Sequence, residues 1–364
     1  PPPAGREAGI DLALDDPGMM ASPVEDRLSR LAEACEAAQG VTGGAAFVDK
    51  ARWSEAKLTI ALANSRGFRG SYRKSLALLS ISVAPAAAGA RPVLEERAAC
   101  RIATLDPREC GVEAALRALP PRSPLPPPEP SLPVVFAARA TAALLAALAP
   151  LAVAPPEGTT SGEDPGEPPV NLRRGLWVTD QAAWPGAVGS APFDGAGFET
   201  RETIILAAGR PTGLLLSEKG HRIRPSYREP PETGLTNLRL IPPSGAGPLM
   251  PGGRSLRIAS ARFLPGPRWT VQVWRGDWYS GDEPAGPADG LTWTGPLEAI
   301  LTGVAAVGAE ARLFHLGLPV GAAAIVVEGL RGWVIGQRGS LAIPAPGHPP
   351  DQRVSGGRIR SKIE

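Results

Sequence analysis

Apolar residues recur at helical spacing from Val24 to Ala38, where Leu28, Leu31, Ala32 and Cys35 share a face and acids and arginines occupy the opposite one. Ser22-Pro23 marks the start of that helix. The pattern then changes. Ala45–Asp49 and Lys57–Ala63 read as strands, Asn64-Ser65-Arg66-Gly67 as a turn, and Leu76–Ala84 as a further strand. A second helix, led by a proline, is predicted over Pro107–Leu119. Beyond Leu172 short strands alternate with Gly and Pro: Leu176–Thr179, Glu202–Leu206, Thr212–Leu216, Leu238–Ile241, Arg257–Phe263 and Thr270–Trp274. Leu297–Val307 reads as a helix and Ala323–Val327 as a buried strand. The implied class is α+β in two domains: an α/β N-terminal part, then a mostly β, barrel-like C-terminal domain with a few helices.

One stretch breaks the alternation. Pro133–Val153 (PVVFAARATAALLAALAPLAV) has almost no polar face. Its length approaches the roughly 20 residues that cross a bilayer. Alanine is only weakly apolar, however, Arg139 lies inside the run, and Pro150 interrupts its end. A buried Ala/Leu helix is the better account, with no membrane span. Before it, PPRSPLPPPEPSLP is too proline-rich for helix or sheet and reads as an extended linker. The expected boundaries are therefore residues 1–120 for the N-terminal part, 121–133 for the linker, 134–336 for the C-terminal domain and 337–364 for a disordered basic tail. Residues 155–169 form a second low-complexity stretch, expected to be a surface loop.

Composition narrows the function classes. The 43 Gly and 42 Pro, with 5% aromatics, imply many turns and irregular connections. A net charge of +2, without a basic block interleaved with aromatics, gives no case for nucleic-acid binding. Cys35, Cys100 and Cys110 are odd in number and form no C-x-x-C pair, which favours free thiols in a reducing, cytoplasmic setting. The beginning of the chain shows neither the basic region nor the apolar core of a secretory signal.

Local strings then point to a family. Asn64-Ser65-Arg66-Gly67-Phe68 with Tyr72-Arg73-Lys74-Ser75, Pro133-Val134-Val135, and Gly189 to Gly197 (GSAPFDGAG) with Thr200-Arg201 occur in order. They are followed by Gly209 to Leu215, Arg224 to Arg228 (RPSYR) with Leu235-Thr236-Asn237-Leu238, and finally Ala306-Val307-Gly308 with Leu318-Pro319-Val320-Gly321. Together these strings resemble the TldD/PmbA (TldE) peptidase family over about Asp15–Gly336. The resemblance implies that Pro133-Val134-Val135 opens the active-site helix. In catalytic members H-E-x-x-x-H follows a Leu-Leu pair; here Leu144-Leu145 are followed by Ala146 and Ala147, with Leu151 at the second histidine position. A zinc site needs imidazole, carboxylate or thiolate ligands and a base, and these side chains supply none. The late Cys-Gly-Lys segment of catalytic relatives is likewise cut short, since Phe314-His315-Leu316-Gly317 runs straight into Leu318-Pro319. Family members also begin with a further strand-helix unit, so the N-terminal domain is expected to be partial.

What remains could do little chemistry by itself. His221 and His348 sit in polar surroundings, and His315 falls near the lost ligand segment. Asp194 reads as a turn aspartate that caps backbone N–H groups. Ser226 and Tyr227 lack a histidine or lysine partner at a recognisable spacing. The tryptophans Trp269, Trp274, Trp278 and Trp293 are expected in the core. The candidate cleft or motif residues are thus Asn64, Asp194, Ser226, Tyr227, Asn237 and His315, beside a degenerate helix at Ala146, Ala147 and Leu151. The resemblance implies a non-catalytic, TldE-like subunit with no metal of its own. Its partner would be a zinc-bearing TldD-like subunit or a second copy, and the assembly would act on unfolded or precursor peptides. Alternatives are an autonomous hydrolase with a relocated site and a stand-alone peptide-binding protein.

Overall fold

A computed structural model describes residues 12–153, 176–212, 234–241, 249 and 252–335, apart from residues 66, 88 and 130. The expected tail at 337–364, the loop at 155–169, and the positions His221, Ser226, Tyr227 and His348 lie outside the described residues. So does the strand expected at Thr212–Leu216 beyond its first residue.

In chain order the elements are α1 (Val24–Thr42), β1 (Ala46–Ala63), β2 (Arg69–Pro85), β3 (Val93–Ala99), α2 (Pro107–Ala118), β4 (Val134–Phe136) and α3 (Ala138–Val153). Next come β5 (Val178–Gln181), β6 (Glu202–Ala207), β7 (Arg210–Pro211), β8 (Leu238–Leu240), β9 (Arg254–Leu264) and β10 (Trp269–Ser280). The remainder are β11 (Glu283–Pro287), β12 (Leu291–Gly295), α4 (Leu297–Thr302), β13 (Val304–Val307), β14 (Arg312–His315), β15 (Pro319–Ala322), β16 (Ile325–Val327) and β17 (Val334–Ile335). They form three open sheets ordered β1-β2-β3, then β13-β16-β4-β9-β10-β12-β17 with β11 on β10, and β14-β15-β8-β5-β6-β7. The α+β class is as expected, but none of these sheets closes into a barrel.

Two strands read separately in the sequence are one. β1 pairs with β2 from Ala46↔Pro85 to Ala63↔Arg69, so Lys50–Ala56 continues the ladder despite its charges. Period-2 burial on β2 turns Leu79, Ile81 and Val83 toward α1 and α2. On α1 the expected stripe is rotated. Leu28 is 58% exposed, while Ala34 and Ala38 are fully buried, with Leu31, Cys35 and Val41 packed at their edge. Small residues win this face because the helices nearly touch: a Cβ on Gly111 of α2 would lie 2.0 Å from the Ala34 carbonyl oxygen. α2 itself starts on Asp106, whose carboxylate accepts the Glu109 N–H at 2.9 Å, with Pro107 in the first turn.

The Ala/Leu run also divides differently from expectation. Val134–Phe136 do not open the helix; they form β4, parallel to β9 and antiparallel to β16, and α3 begins at Ala138. α3 packs against β9 of one sheet and β15 of another. A helix covered on two sides has little use for a polar face, which explains its composition. Leu144, Leu145 and Leu148 are buried along it. Leu297–Val307 is another correction: the helix stops at Thr302, and Val304–Val307 pair with β16 as β13. Ladder hydrogen bonds across that pair outweigh helix propensity.

The proline-rich stretch lies extended on the sheet. Arg122 donates to both Asp289 carboxylate oxygens, Leu125 N–H donates to the Pro287 carbonyl, and Trp278 Nε1 donates to the Leu125 carbonyl. Asp289 is fully buried and also meets Arg275 at 2.5 Å; Arg275 in turn donates to the carbonyls of Leu116 and Leu119 at the end of α2. Burial opposes ionisation of Asp289, but hydrogen bonds from Arg122 and from backbone N–H groups outweigh it and hold the carboxyl below its usual range.

The helix contact generates a paired prediction. Gly111→Ala forces Ala34 aside and lowers stability by about 1–3 kcal/mol. Gly40→Ala, where a Cβ meets nothing within 4 Å, raises it by roughly 0.5–1 kcal/mol because an exposed helical glycine is relieved. Urea unfolding midpoints of the two variants, moving in opposite directions, check both.

Candidate functional site

Five residues separate Ala146 from Leu151, so on a regular helix they point about 140° apart. The structure sets them on different cavities. Leu151 borders a cavity of about 370 Å³ with Leu145, Leu148, Ile205 and Leu301, its few polar neighbours including Arg210 and Glu298. Ala146 borders a second cavity, of about 220 Å³, lined by Arg117, Arg139, Arg262, Ser260 and Trp274. Ala147 lines neither and packs against the core. None of the three carries a lone pair for a metal, and the wall beside Leu151 is mostly hydrocarbon. These residues do not fit a zinc ion. Among the described residues no three His, Cys, Asp or Glu side chains group as metal ligands would.

The other motif positions hold backbone in place. Asp194 Oδ1 accepts the N–H groups of Ala196 and Phe198, both at 2.9 Å, so it caps its own turn. Asn64 Nδ2 donates to the Ala196 carbonyl at 3.1 Å and its Oδ1 accepts the Phe68 N–H, tying the β1–β2 turn to that loop. Phe193 fills the joint, edge-on to Phe68 and Tyr72 at 5.1 and 5.3 Å. Lys74 Nζ, its charge disfavoured by burial, donates to the carbonyls of Val188 and Ser190. Asn237 is fully buried; it accepts the Gly189 N–H and donates to the Gln181 carbonyl and Ser190 Oγ. Gly189 has no alternative there, since a Cβ would lie 2.0 Å from the Thr236 carbonyl oxygen. Asp180 Oδ1 accepts the N–H groups of Thr236 and Asn237 from the other side.

His315 ends β14, half-buried, with no partner for Nδ1 among the described residues. Burial pushes its pKa below the usual 6.5, with Glu96 opposing and Arg97 reinforcing the shift. The structure does not bring it to Ala146 or Leu151: neither cavity beside α3 has His315 on its wall.

His315 instead borders a charge cluster that sequence reading missed. Glu95 is 2% exposed and held by three arginines: Arg97 on Oε1, and Arg117 and Arg139 on Oε2, each of these two at 2.6 Å. The guanidinium groups of Arg97, Arg139 and Arg312 lie 5.5–5.7 Å from the ring centroid of buried Phe314, and Arg312 pairs with Glu109 of α2. Burial lowers the Arg139 pKa to about 10, with Glu95 opposing and the other two arginines adding to the fall, so the side chain stays cationic at neutral pH. A signal was present in the sequence. Val93, Glu95, Arg97 and Ala99 alternate at period 2, and all four are buried on β3. Trp274 departs from expectation too: Trp269, Trp278 and Trp293 are buried, but Trp274 is half-exposed beneath the Arg117 guanidinium, 5.2 Å from its ring centroid.

Residues 129–248 match the family model of the PmbA/TldA metallopeptidase C-terminal domain. That part of the chain is a TldD/PmbA-family domain. Three crystal structures share the fold. A protein described as a modulator of DNA gyrase from Thermotoga maritima superposes with a TM-score of 0.66 at 18% identity, over 90% of this chain and 78% of its own. A counterpart from Bacteroides thetaiotaomicron, also described as a modulator of DNA gyrase, gives 0.64 at 16%, over 91% and 76%. TldE from Thermococcus kodakarensis gives 0.65 at 15%, over 90% and 80%. No curated protein matches by sequence. Among the described residues no helix is long and apolar enough to cross a membrane.

Two outcomes follow for the charge cluster of this TldD/PmbA-like chain. Glu95→Gln leaves buried arginines unpaired and costs about 3–5 kcal/mol, readable from chemical denaturation at pH 7. His315, whose folded pKa is depressed, contributes stability that is complete above pH 6.5 and lost as pH falls below it. His315→Gln therefore shows a shallower loss of stability between pH 7.5 and 5.5 than wild type, measured by the same denaturation at each pH.

Proposed function

We propose that this chain is a non-catalytic, TldE-like subunit that works with a zinc-bearing TldD-like partner, or with a second copy of itself, on unfolded or precursor peptides in the cytoplasm. The observation that carries the reading is the retention of scaffold beside the loss of ligands. The Gly189-Ser190 and Thr236-Asn237 strings interlock through buried hydrogen bonds. The helix that bears the zinc ligands in catalytic relatives presents Ala146, Ala147 and Leu151 instead. The fold likeness to TldE of Thermococcus kodakarensis supports the same reading. In such an assembly this subunit would complete the chamber and help admit a peptide strand, while the partner supplies metal and base.

The test is a zinc measurement and a peptide-cleavage assay on the purified chain, alone and co-purified with a zinc-bearing family member. The chain alone is expected to hold substoichiometric zinc and to cleave nothing, and the mixture to cleave. His315→Ala is expected to leave the mixture's activity unchanged. Stoichiometric zinc together with cleavage by the chain alone overturns the proposal. Cleavage that depends on His315 but not on metal supports the relocated-site enzyme instead.

A further inference from the structure

The second cavity beside α3 combines features that a purely structural void does not need. Three cationic side chains, Arg117, Arg139 and Arg262, line about 220 Å³, and among the described residues no carboxylate shares that wall. Glu95 lies behind Arg117 and Arg139 and takes one nitrogen from each. Arg139 Nη1, Arg117 Nε and Ser260 Oγ are all buried without a hydrogen-bond partner among the described residues. Arg139 is only 8% exposed. Leaving a buried donor unsatisfied costs free energy, more so when it is charged. Here three such donors belong to residues around one cavity.

The rest of the wall is apolar. Ala143, Ala146, Phe263 and Leu316 line it, and Trp274 closes one side under Arg117. Whole small-molecule ligands usually occupy about 300–1,000 Å³, so this cavity suits an end group rather than an entire ligand. Planar guanidinium forks pair with carboxylates in bidentate fashion, a serine hydroxyl adds a donor, and the hydrocarbon wall suits a short stem behind the charged head. We propose that this cavity is a receptor for a carboxylate borne on a short apolar stem, held by Arg139, Arg117, Arg262 and Ser260 and roofed by Trp274. Peptide C-termini and free short-chain organic acids both present that chemistry. The binding is independent of any peptidase partner, so it stands or falls apart from the subunit reading.

Calorimetric titration of the full chain with N-acetyl-alanyl-alanine, its C-terminal amide, and propionate tests the assignment. The free acid is expected to bind at least tenfold more tightly than the amide. Affinity should fall as ionic strength rises, because Arg117 and Arg262 are partly exposed and their charge is screened. Arg262→Met should weaken the acid at least tenfold; Arg262 makes no ion pair among the described residues, so its loss leaves their charge network in place, and an unchanged melting temperature verifies this. Ser260→Ala should weaken binding further with the same fold check. Acid stronger than propionate assigns a peptide terminus, and equal affinities assign a free organic acid. No acid binding, equal binding of acid and amide, indifference to Arg262→Met, or displacement by inorganic phosphate at matched concentration overturns the carboxylate site.

Discussion

Glu95 is the joint on which β3, α2 and α3 meet. Its carboxylate sits on β3 of the N-terminal sheet, yet it is held by Arg117 from α2 and Arg139 from α3. A buried carboxylate among three arginines is expensive to desolvate and strongly destabilising to break. That asymmetry fixes geometry better than an apolar contact does, because hydrogen-bonded charges tolerate few arrangements. Phe314 seals the cluster from the β14 side, and Arg312 ties β14 to Glu109 of α2. Asp289 repeats the device lower down, gathering Arg122 from the proline-rich stretch and Arg275 from β10. Two buried acids thus hold α2 and α3 in place against the sheets.

How legible this was depends on which kind of order a segment has. Local periodicity was enough for α1, α2, β2, β9 and the start of β10, whose apolar spacing follows their own secondary structure. It failed where distant contacts decide. The face of α1 was misjudged because the backbone of α2 approaches at Gly111, a fact held by another element. Val304–Val307 scans as helix and becomes strand because β16 is there to pair with it. β3 went unread since Glu95, Glu96 and Arg97 make a poor hydrophobic pattern; its period-2 alternation is real, but half of it is charged.

The candidate site was half legible for a similar reason. The residue types at Ala146, Ala147 and Leu151 already exclude metal ligation, and no coordinates are needed for that. Which side of α3 each one faces is a matter of packing. Leu151 looks onto an apolar cavity and Ala146 onto a cationic one, so the helix separates two chemically different surfaces. Arg139 was conspicuous inside an apolar run, but its partner Glu95 lies on β3, and sequence spacing does not connect the two.

The motifs that survive are those whose work is mechanical. Asn237 satisfies three polar groups in a place no water reaches, Gly189 leaves room for the Thr236 carbonyl, and Asp194 caps a turn that Asn64 then grips. Truncating Asn237, Asp194 or Asn64 strands donors or acceptors at about 1–3 kcal/mol each, and any side chain at Gly189 meets the Thr236 carbonyl. Metal ligands on a helix face carry no such obligation. With Ala146, Ala147 and Leu151 in its sequence α3 packs between its sheets, since small apolar residues suit a helix covered on both sides. On the Ala146 side of the same helix, by contrast, Arg117 Nε and Arg139 Nη1 have no partner among the described residues, beyond the bonds these two arginines make to Glu95, and those leftover donors cost stability without serving the fold. Their presence at Ala146's cavity is what a fold-only history does not explain.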